Sequence, residues 1–224
     1  MVNKLFFEGK YLKEYLTIVS EVFTKDDKFY VKLEDYIFYP QGGGQKGDRG
    51  KLIIDGNEYQ IINTIKDFDD VNDIVINVDS EIDSKYIGKP VKCELDWDFR
   101  LKQMKLHSAL HLYHYTIGLI LNQPIDNPVV SSIDIGFAFN KYKDDTFDIQ
   151  LIDKINEKYN ELKVSDLKIT TFPDKNDINY RYFKINDYTN PCGGLHVDKS
   201  SDIGDIDIKV TNKKGYITIK LVLI

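Results

Sequence analysis

The spacing of apolar residues along the chain changes once, near residue 96. Before that point the apolar or alternating runs are short, and charged or glycine-containing turns separate them. Six such runs cover residues 15–22, 29–33, 51–54, 59–65, 74–78 and 91–95. Short alternating strands at this spacing are typical of antiparallel barrels and sandwiches. The first part of the chain is therefore predicted to be an antiparallel β-barrel or sandwich.

Beyond residue 96 the pattern is mixed. Residues 99–121 contain no proline and carry apolar residues at helical spacing, which predicts one long helix that Pro124 prevents from continuing. A second helix is predicted over residues 147–163, and strands over 129–139, 168–172, 180–185, 206–210 and 216–223. The predicted fold class is α+β. Residues 1–95 form the β-barrel domain with a glycine-rich loop, and residues 96–224 form an α+β domain.

The composition excludes several classes of protein. Two cysteines in 224 residues are too few for a secreted disulfide framework, and Cys93, in an ordinary strand pattern, is assigned to core packing. No signal-peptide-like start or apolar run of the ~18 to 20 residues that cross a bilayer is present. The net charge of −6 argues against a general nucleic-acid coat, because phosphate binding needs many basic contacts. We expect a cytoplasmic protein that binds neither membrane nor DNA.

Two histidines on the long helix form a candidate metal-binding pair. His107 and His111 are four residues apart, so their imidazoles lie on one helix face and can chelate one ion. His114 lies three residues beyond His111 on the same face and can replace His107 in such a pair. Spacing does not separate the two pairs, and an isolated pair of this kind is more often an ordinary core or surface feature.

The fourth histidine stands beside the second cysteine. Cys192 and His196 are four residues apart across a Gly-Gly loop, whose flexibility lets both side chains reach one point. Together with the helix pair they make a nitrogen and sulfur donor set of the kind that zinc prefers. His107, His111, Cys192 and His196 thus form a set suited to one Zn²⁺ per chain, with His114 still an alternative to His107.

A glycine-rich segment is the third candidate. Residues 42–50 contain five glycines, which allow close approach of a ligand, a phosphate or another part of the chain. The segment lacks the Gly-Lys-Ser/Thr ending of nucleotide-binding loops. A plain turn between strands is the alternative.

Taken in order, these segments resemble the motifs of the AlaX family, free-standing relatives of the editing domain of alanyl-tRNA synthetase. The family's Phe-Tyr-Pro-x-Gly-Gly-Gly-Gln loop matches residues 38–45, its His-x-x-x-His helix matches 107–111, and its Cys-Gly-Gly-Thr-His motif matches 192–196. Asp96-Trp97, Arg100 and residues 202–204 extend the resemblance over nearly the whole chain. It implies a β-barrel joined to an α+β editing domain, the zinc ligands above in preference to His114, and hydrolysis of misacylated tRNA.

The resemblance also implies catalytic roles. Gln45 is expected to orient water or to donate to negative charge on the ester, and the amides of Gly43 and Gly44 to share that donor role. Zinc either polarises water or holds the substrate amine or carbonyl. Four ligands close the zinc shell, so water enters by expansion or by loss of one ligand, for which His196 is the candidate.

Two positions depart from the family pattern. Tyr36 stands where the family often has a threonine associated with recognising the serine hydroxyl, and it fills far more volume. Leu195 replaces the threonine of the cysteine motif, which removes a hydroxyl next to two expected ligands. Tyr36 is therefore a predicted substrate-binding position, and both changes bear on substrate preference.

The long helix begins with a basic stretch. Arg100, Lys102 and Lys105 give a local charge of +3, and no acidic residue occurs from there to Asn122. These side chains are predicted to bind the acceptor end of tRNA, with a solvated helix face as the alternative.

The leading hypothesis is a zinc-dependent aminoacyl-tRNA deacylase, a hydrolase that acts in trans on seryl- or glycyl-tRNA for alanine and so maintains translation fidelity. One alternative is a tRNA-binding module with a structural zinc and no turnover. Another is a zinc hydrolase of small aminoacyl esters. The sequence leaves the amino acid, the cognate tRNA and the oligomeric state open.

Overall fold

The first part of the protein is a closed antiparallel barrel. A computed structural model describes residues 2–224. The barrel strands are β1 (Glu14–Lys25), β2 (Lys28–Leu33), β3 (Gly50–Ile54), β4 (Asn57–Lys66), β5 (Ile74–Val78) and β6 (Pro90–Leu95). They pair in the order β1-β2-β5-β4-β3-β6, and β6 pairs with β1 to close the barrel. Closure removes the free edges that an open sheet exposes.

The barrel interior follows from the alternation in the sequence. Side chains at every second position point inwards and form an apolar core that includes Val31, Leu33, Leu52, Ile54 and Val91. The β3–β4 hairpin turns at Asp55 and Gly56, with φ values of 50° and 80°. Positive φ at both turn residues matches the right-handed strand twist, and glycine adopts it without steric cost.

The second part contains both helices and two sheets. The elements are α1 (Trp97–Leu121), β7 (Val130–Ile133), β8 (Phe137–Lys143), α2 (Ile152–Val164), β9 (Ile169–Pro173), β10 (Arg181–Ile185), β11 (Tyr188–Pro191), β12 (Ile206–Lys213) and β13 (Tyr216–Leu223). One sheet has the order β12-β13-β8-β7 and the other β11-β10-β9, all antiparallel. The predicted barrel and α+β class are confirmed.

The chain divides into two compact units. The first unit comprises residues up to 42 and residues 46–100, and the second comprises residues 43–45 and 101–224. Three residues of the glycine-rich segment, Gly43–Gln45, thus group with the second unit, where the Gly44 carbonyl accepts a hydrogen bond from the Ile133 amide at 2.9 Å. The domain boundary at residues 95 and 96 stays a prediction.

The element boundaries differ from the predicted ones where caps and pairing decide them. Helix α1 begins at Trp97, two residues earlier than predicted, and the Asp96 carboxylate accepts from the Phe99 amide at 3.1 Å as an N-cap. Helix α2 begins at Ile152, because residues 149–151 form a 3-10 turn capped by Asp148. Strand β11 was not predicted, since Tyr-Thr-Asn-Pro shows no alternation and pairing with β10 defines it. No helix in residues 2–224 is long and apolar enough to cross a membrane.

Candidate metal centre and its cavity

The second unit brings four potential metal ligands together. The donor atoms of His107, His111, Cys192 and His196 all lie within 4.8 Å of one another. The Cys192 Sγ is 3.4 Å from His107 Nε2 and 3.3 Å from His196 Nε2. With ordinary Zn–N and Zn–S bond lengths, a nitrogen–sulfur edge of a tetrahedron measures about 3.5 Å. The group is therefore able to hold a metal ion.

The backbone at Gly194 explains how the loop reaches the helix. A Cβ at this position would lie 2.1 Å from His107 Cε1 and 2.4 Å from its Nδ1, whereas a Cβ at Gly193 would meet nothing within 4 Å. Close approach of the loop to the imidazole thus requires glycine at position 194 and not at position 193.

Gln45 holds the His107 ring in a defined orientation. Its Oε1 accepts from the Leu195 amide at 3.0 Å and lies 3.1 Å from His107 Nδ1. Because a backbone amide can only donate, the atom facing Leu195 is the Gln45 oxygen. Burial lowers the pKa of His107 to about 4, so the ring is neutral and its Nδ1–H donates to Gln45. The lone pair of Nε2 is left facing Cys192, as in the outer shells of metal sites.

Ser108 orients the His196 ring in the same way, and no sequence pattern selected this residue. Its hydroxyl donates to the Met104 carbonyl at 2.9 Å and accepts from the Val197 amide at 3.1 Å. Because the hydroxyl proton is used, the His196 Nδ1 at 3.3 Å is the donor of that pair. The lone pair of His196 Nε2 then faces Cys192 Sγ, 3.3 Å away, as a potential metal ligand. Phe183 stacks on the His111 ring at a centroid distance of 4.4 Å.

One polar group beside the cluster has an unused donor. Gln45 is 1% exposed, and its Nε2 is buried without a hydrogen-bond partner among residues 2–224. A buried amide N–H without a partner costs free energy, so its presence favours a ligand that accepts from it.

The protonation states of the histidines favour metal binding. Burial lowers the pKa values of His107 and His111, which keeps their nitrogens available as ligands. Burial raises the pKa of Cys192 to about 11, and a hydrogen bond from the Gly194 amide partly opposes this. A cation bound at the thiol displaces its proton and supplies the charge that stabilises the thiolate.

A cavity of about 380 Å³ opens beside the donor cluster. One face of α1 lines it, with residues spaced three or four apart: His107, Leu110, His111 and His114. Gly43 lies in its wall, as do Ser131 of β7, Asn140 of β8 and Cys192. Arg181, which is 6% exposed, and Tyr188 also line it, and the sequence pattern selected neither.

His114 is separate from the donor cluster. It lies on the cavity wall, and its Nδ1 is 3.1 Å from the Tyr142 hydroxyl. Helical spacing left His107 and His114 as equal partners of His111, and it is His107 that groups with Cys192 and His196.

Two predicted substrate-binding residues are buried in the first unit. Arg100 is 0% exposed, its guanidinium pairs with both carboxylate oxygens of Asp48, and it also donates to the Ile37 carbonyl at 2.6 Å. Tyr36 is 0% exposed and uses its hydroxyl twice, donating to the Ile74 carbonyl at 2.6 Å and accepting from the Leu33 amide at 2.9 Å. The structure gives both side chains internal partners instead of an exposed position.

The two lysines of the basic stretch lie outside the cavity lining. Lys102 is exposed and Lys105 is half-buried, and both belong to the second unit. With Arg100 neutralised by Asp48, these two ammonium groups carry the remaining positive charge of the stretch.

The fold and the site together define a class: an α+β protein with a barrel unit and a second unit able to hold a metal ion at a cavity. Over 92% of its length the chain is 33% identical to the alanyl-tRNA editing protein AlaX-M of Pyrococcus horikoshii, of which it covers 89%. It is 38% identical to AlaX-M of Methanosarcina barkeri over 50% of this chain and 45% of that protein. It also matches an alanine–tRNA ligase of Metallosphaera sedula, at 28% identity over 92% of this chain and 24% of the ligase. No protein-family model matches.

The chain belongs to the AlaX family of alanyl-tRNA editing proteins, which are aminoacyl-tRNA hydrolases. The family resemblance inferred from the three motifs is confirmed, and so is the prediction of a hydrolase.

Proposed function

We propose that this protein is a zinc-dependent deacylase that removes serine or glycine from alanine tRNA in trans. The observation that carries the proposal is the cluster of His107, His111, Cys192 and His196 at the wall of the cavity. Relatives named alanyl-tRNA editing proteins support the tRNA substrate. An alanine–tRNA ligase that matches 92% of this chain supports alanine tRNA in particular.

The chemistry of the donors favours zinc. Three imidazole nitrogens and one thiolate sulfur form a mixed set that suits this ion, whereas magnesium and calcium prefer oxygen ligands. Zinc bound there supplies a Lewis acid for the ester carbonyl or for a water molecule.

The chain's own contribution begins with Gln45. Its Oε1 is held by the Leu195 amide and by His107, so the buried Nε2 is fixed beside the cluster before substrate arrives. That N–H can donate to the ester oxygen as negative charge develops on it. Donors of this kind are effective because they need no reorganisation during the reaction.

The acceptor end of tRNA must be held as well. Lys102 and Lys105 of the second unit offer two phosphate contacts, and the cavity accommodates the aminoacyl group. Few basic contacts in a protein of net charge −6 imply weak tRNA binding that salt disrupts.

The direct test is loss of the ester from seryl-, glycyl- and alanyl-tRNA for alanine. We expect the purified protein to deacylate seryl- or glycyl-tRNA faster than alanyl-tRNA. Cys192→Ala should lower the rate by more than the roughly 10–100-fold that loss of an outer-shell partner costs. Cys93→Ala removes the other thiol, from the barrel core, and should keep the rate. No ester loss above buffer for any of the three substrates contradicts the proposal.

The same preparations separate the two alternatives. A binding module with a structural zinc predicts tRNA binding without turnover, and unfolding of the second unit when the metal is chelated. A hydrolase of small esters predicts similar efficiency on aminoacyl-adenosine and on intact charged tRNA. The deacylase proposed here requires turnover and a strong preference for the intact tRNA.

A further inference from the structure

A chain of hydrogen-bonded polar side chains runs from Ser131 of β7, which is exposed, through the buried residues Asn140 and Tyr142 to the buried His114 of α1. Ser131 Oγ donates to Asn140 Oδ1 at 2.7 Å, and Asn140 Nδ2 donates to the Tyr142 hydroxyl at 3.1 Å. The Tyr142 hydroxyl in turn lies 3.1 Å from His114 Nδ1. The two ends of this polar chain, Ser131 and His114, both line the cavity. None of these four residues belongs to the metal cluster.

The order of donors along this polar chain fixes the tautomer of His114. The Tyr142 oxygen accepts from Asn140, and Tyr142 is 1% exposed. Among residues 2–224, His114 Nδ1 is the acceptor left for the phenol proton. Burial raises the pKa of Tyr142 and lowers that of His114 to about 4, so both groups are neutral. With Nδ1 accepting, the ring proton resides on Nε2.

The Nε2–H group of His114 is an unused hydrogen-bond donor at the cavity. It donates to no group in residues 2–224, and it keeps some solvent-accessible surface. The Ser131 hydroxyl gives its proton to Asn140 and keeps lone pairs that can accept. The cavity therefore presents one donor and one acceptor at groups that the metal cluster does not use.

We propose that His114 and Ser131 recognise the side-chain hydroxyl of the wrongly attached amino acid, His114 Nε2–H donating to the hydroxyl oxygen and Ser131 Oγ accepting its proton. This assignment rests on the deacylase function proposed above. His114 lies three residues, just under one helical turn, beyond His111 on the cavity face of α1. The assignment requires a small amino acid whose ester sits at the metal cluster to direct its side chain along this face.

The Tyr36 hydroxyl is already occupied by two internal partners. The sequence resemblance placed hydroxyl recognition there, but both hydrogen bonds of the Tyr36 hydroxyl are made inside the first unit. A donor and acceptor pair in the cavity also favours the seryl over the alanyl ester, because only serine has a hydroxyl that can pair with both groups.

The test compares kcat/KM for seryl- and glycyl-tRNA in variants of His114. Glycine has no hydroxyl and serves as the internal control. His114→Phe should lower kcat/KM for seryl-tRNA about tenfold, the upper end of what one neutral hydrogen bond contributes, and leave glycyl-tRNA within about twofold. His114→Gln, whose amide Nε2 replaces the imidazole Nε2–H, should restore most of the seryl rate. Ser131→Ala should act in the same direction as His114→Phe.

Tyr142→Phe keeps the assignment testable if the His114 variants fold poorly. It removes the phenol that fixes the tautomer, so the seryl-to-glycyl ratio should fall by about twofold to threefold. Equal loss on both substrates, or failure of His114→Gln to restore the ratio, overturns the assignment. So does a fall in zinc content of His114→Phe below one per chain, which would make His114 a ligand. A wild-type protein that deacylates neither substrate refutes the deacylase function itself, which is a separate outcome.

Discussion

The two units treat their buried polar groups differently. In the first unit, Arg100 and Asp48 neutralise each other, and the Tyr36 hydroxyl forms hydrogen bonds with two backbone groups. In the second unit, Gln45 Nε2 has no partner among the described residues, and four potential metal ligands converge. Satisfied buried groups stabilise a fold, whereas unsatisfied ones cost stability and are kept where a ligand completes them. The contrast predicts that changes in the first unit alter stability and that changes in the second alter activity.

The largest effect is expected for Gly194→Ala. Its Cβ would overlap the His107 ring at 2.1 Å, so the loop or the imidazole must move and the donor cluster must open. We expect loss of deacylation together with loss of bound zinc, measured by metal analysis of the purified protein. The matched control is Gly193→Ala, which meets open space and should keep one zinc per chain. Equal zinc content in the two variants would contradict this account of the loop.

Arg100→Ala should give the largest change in stability. It leaves the Asp48 carboxylate buried without its partner, which costs about 3–5 kcal/mol of unfolding free energy. Chemical denaturation measures this, and Lys102→Ala, an exposed neighbour on the helix, should change stability by less than about 0.5 kcal/mol. The tRNA KM of the folded fraction should stay unchanged. A raised KM with normal stability would show that Arg100 binds substrate after all.

Gln45→Ala tests the second half of the comparison, that changes in the second unit alter activity. It removes the unused amide donor beside the cluster, and loss of one such donor typically lowers kcat by about 100-fold to 1000-fold. Zinc should be retained with weaker affinity, since His107 loses an outer-shell partner. Single-turnover deacylation together with zinc titration checks both parts. A normal rate would leave Gln45 with a purely structural role.

Sequence patterns predicted most of the fold because alternation and helical spacing report which side faces a core. They also pointed to the potential metal donors, since three histidines on one helix and a fourth beside a cysteine are unusual in a chain with four histidines, but only the family resemblance preferred His107 to His114. Pairings over long separations were not accessible in the same way. The neutralisation of Arg100 depends on Asp48, which is 52 positions away.

The polar chain from Ser131 to His114 could not be predicted from the sequence for a related reason. Asn140 and Tyr142 are ordinary residues of a strand. Their hydrogen bonds depend on the pairing of β7 with β8 and on the approach of His114, which the sequence does not show. Ser108 is adjacent to His107 in the sequence, but its contact is with His196, 88 positions further on. Side chains that orient other side chains leave no periodic signal of their own.

The smallest effect is expected for Lys102→Ala/Lys105→Ala, and it separates charge at the surface from chemistry in the cavity. If each lysine contacts one phosphate, tRNA binding weakens and the slope of log K against log salt falls by about 1.4–1.8 in all. The catalytic rate at saturating tRNA should not change, because neither lysine lines the cavity. Lys154→Ala/Lys209→Ala alters net charge equally at exposed positions elsewhere in the second unit. An identical salt dependence for both double variants would mean that tRNA responds to the overall charge of the protein and not to this stretch of α1.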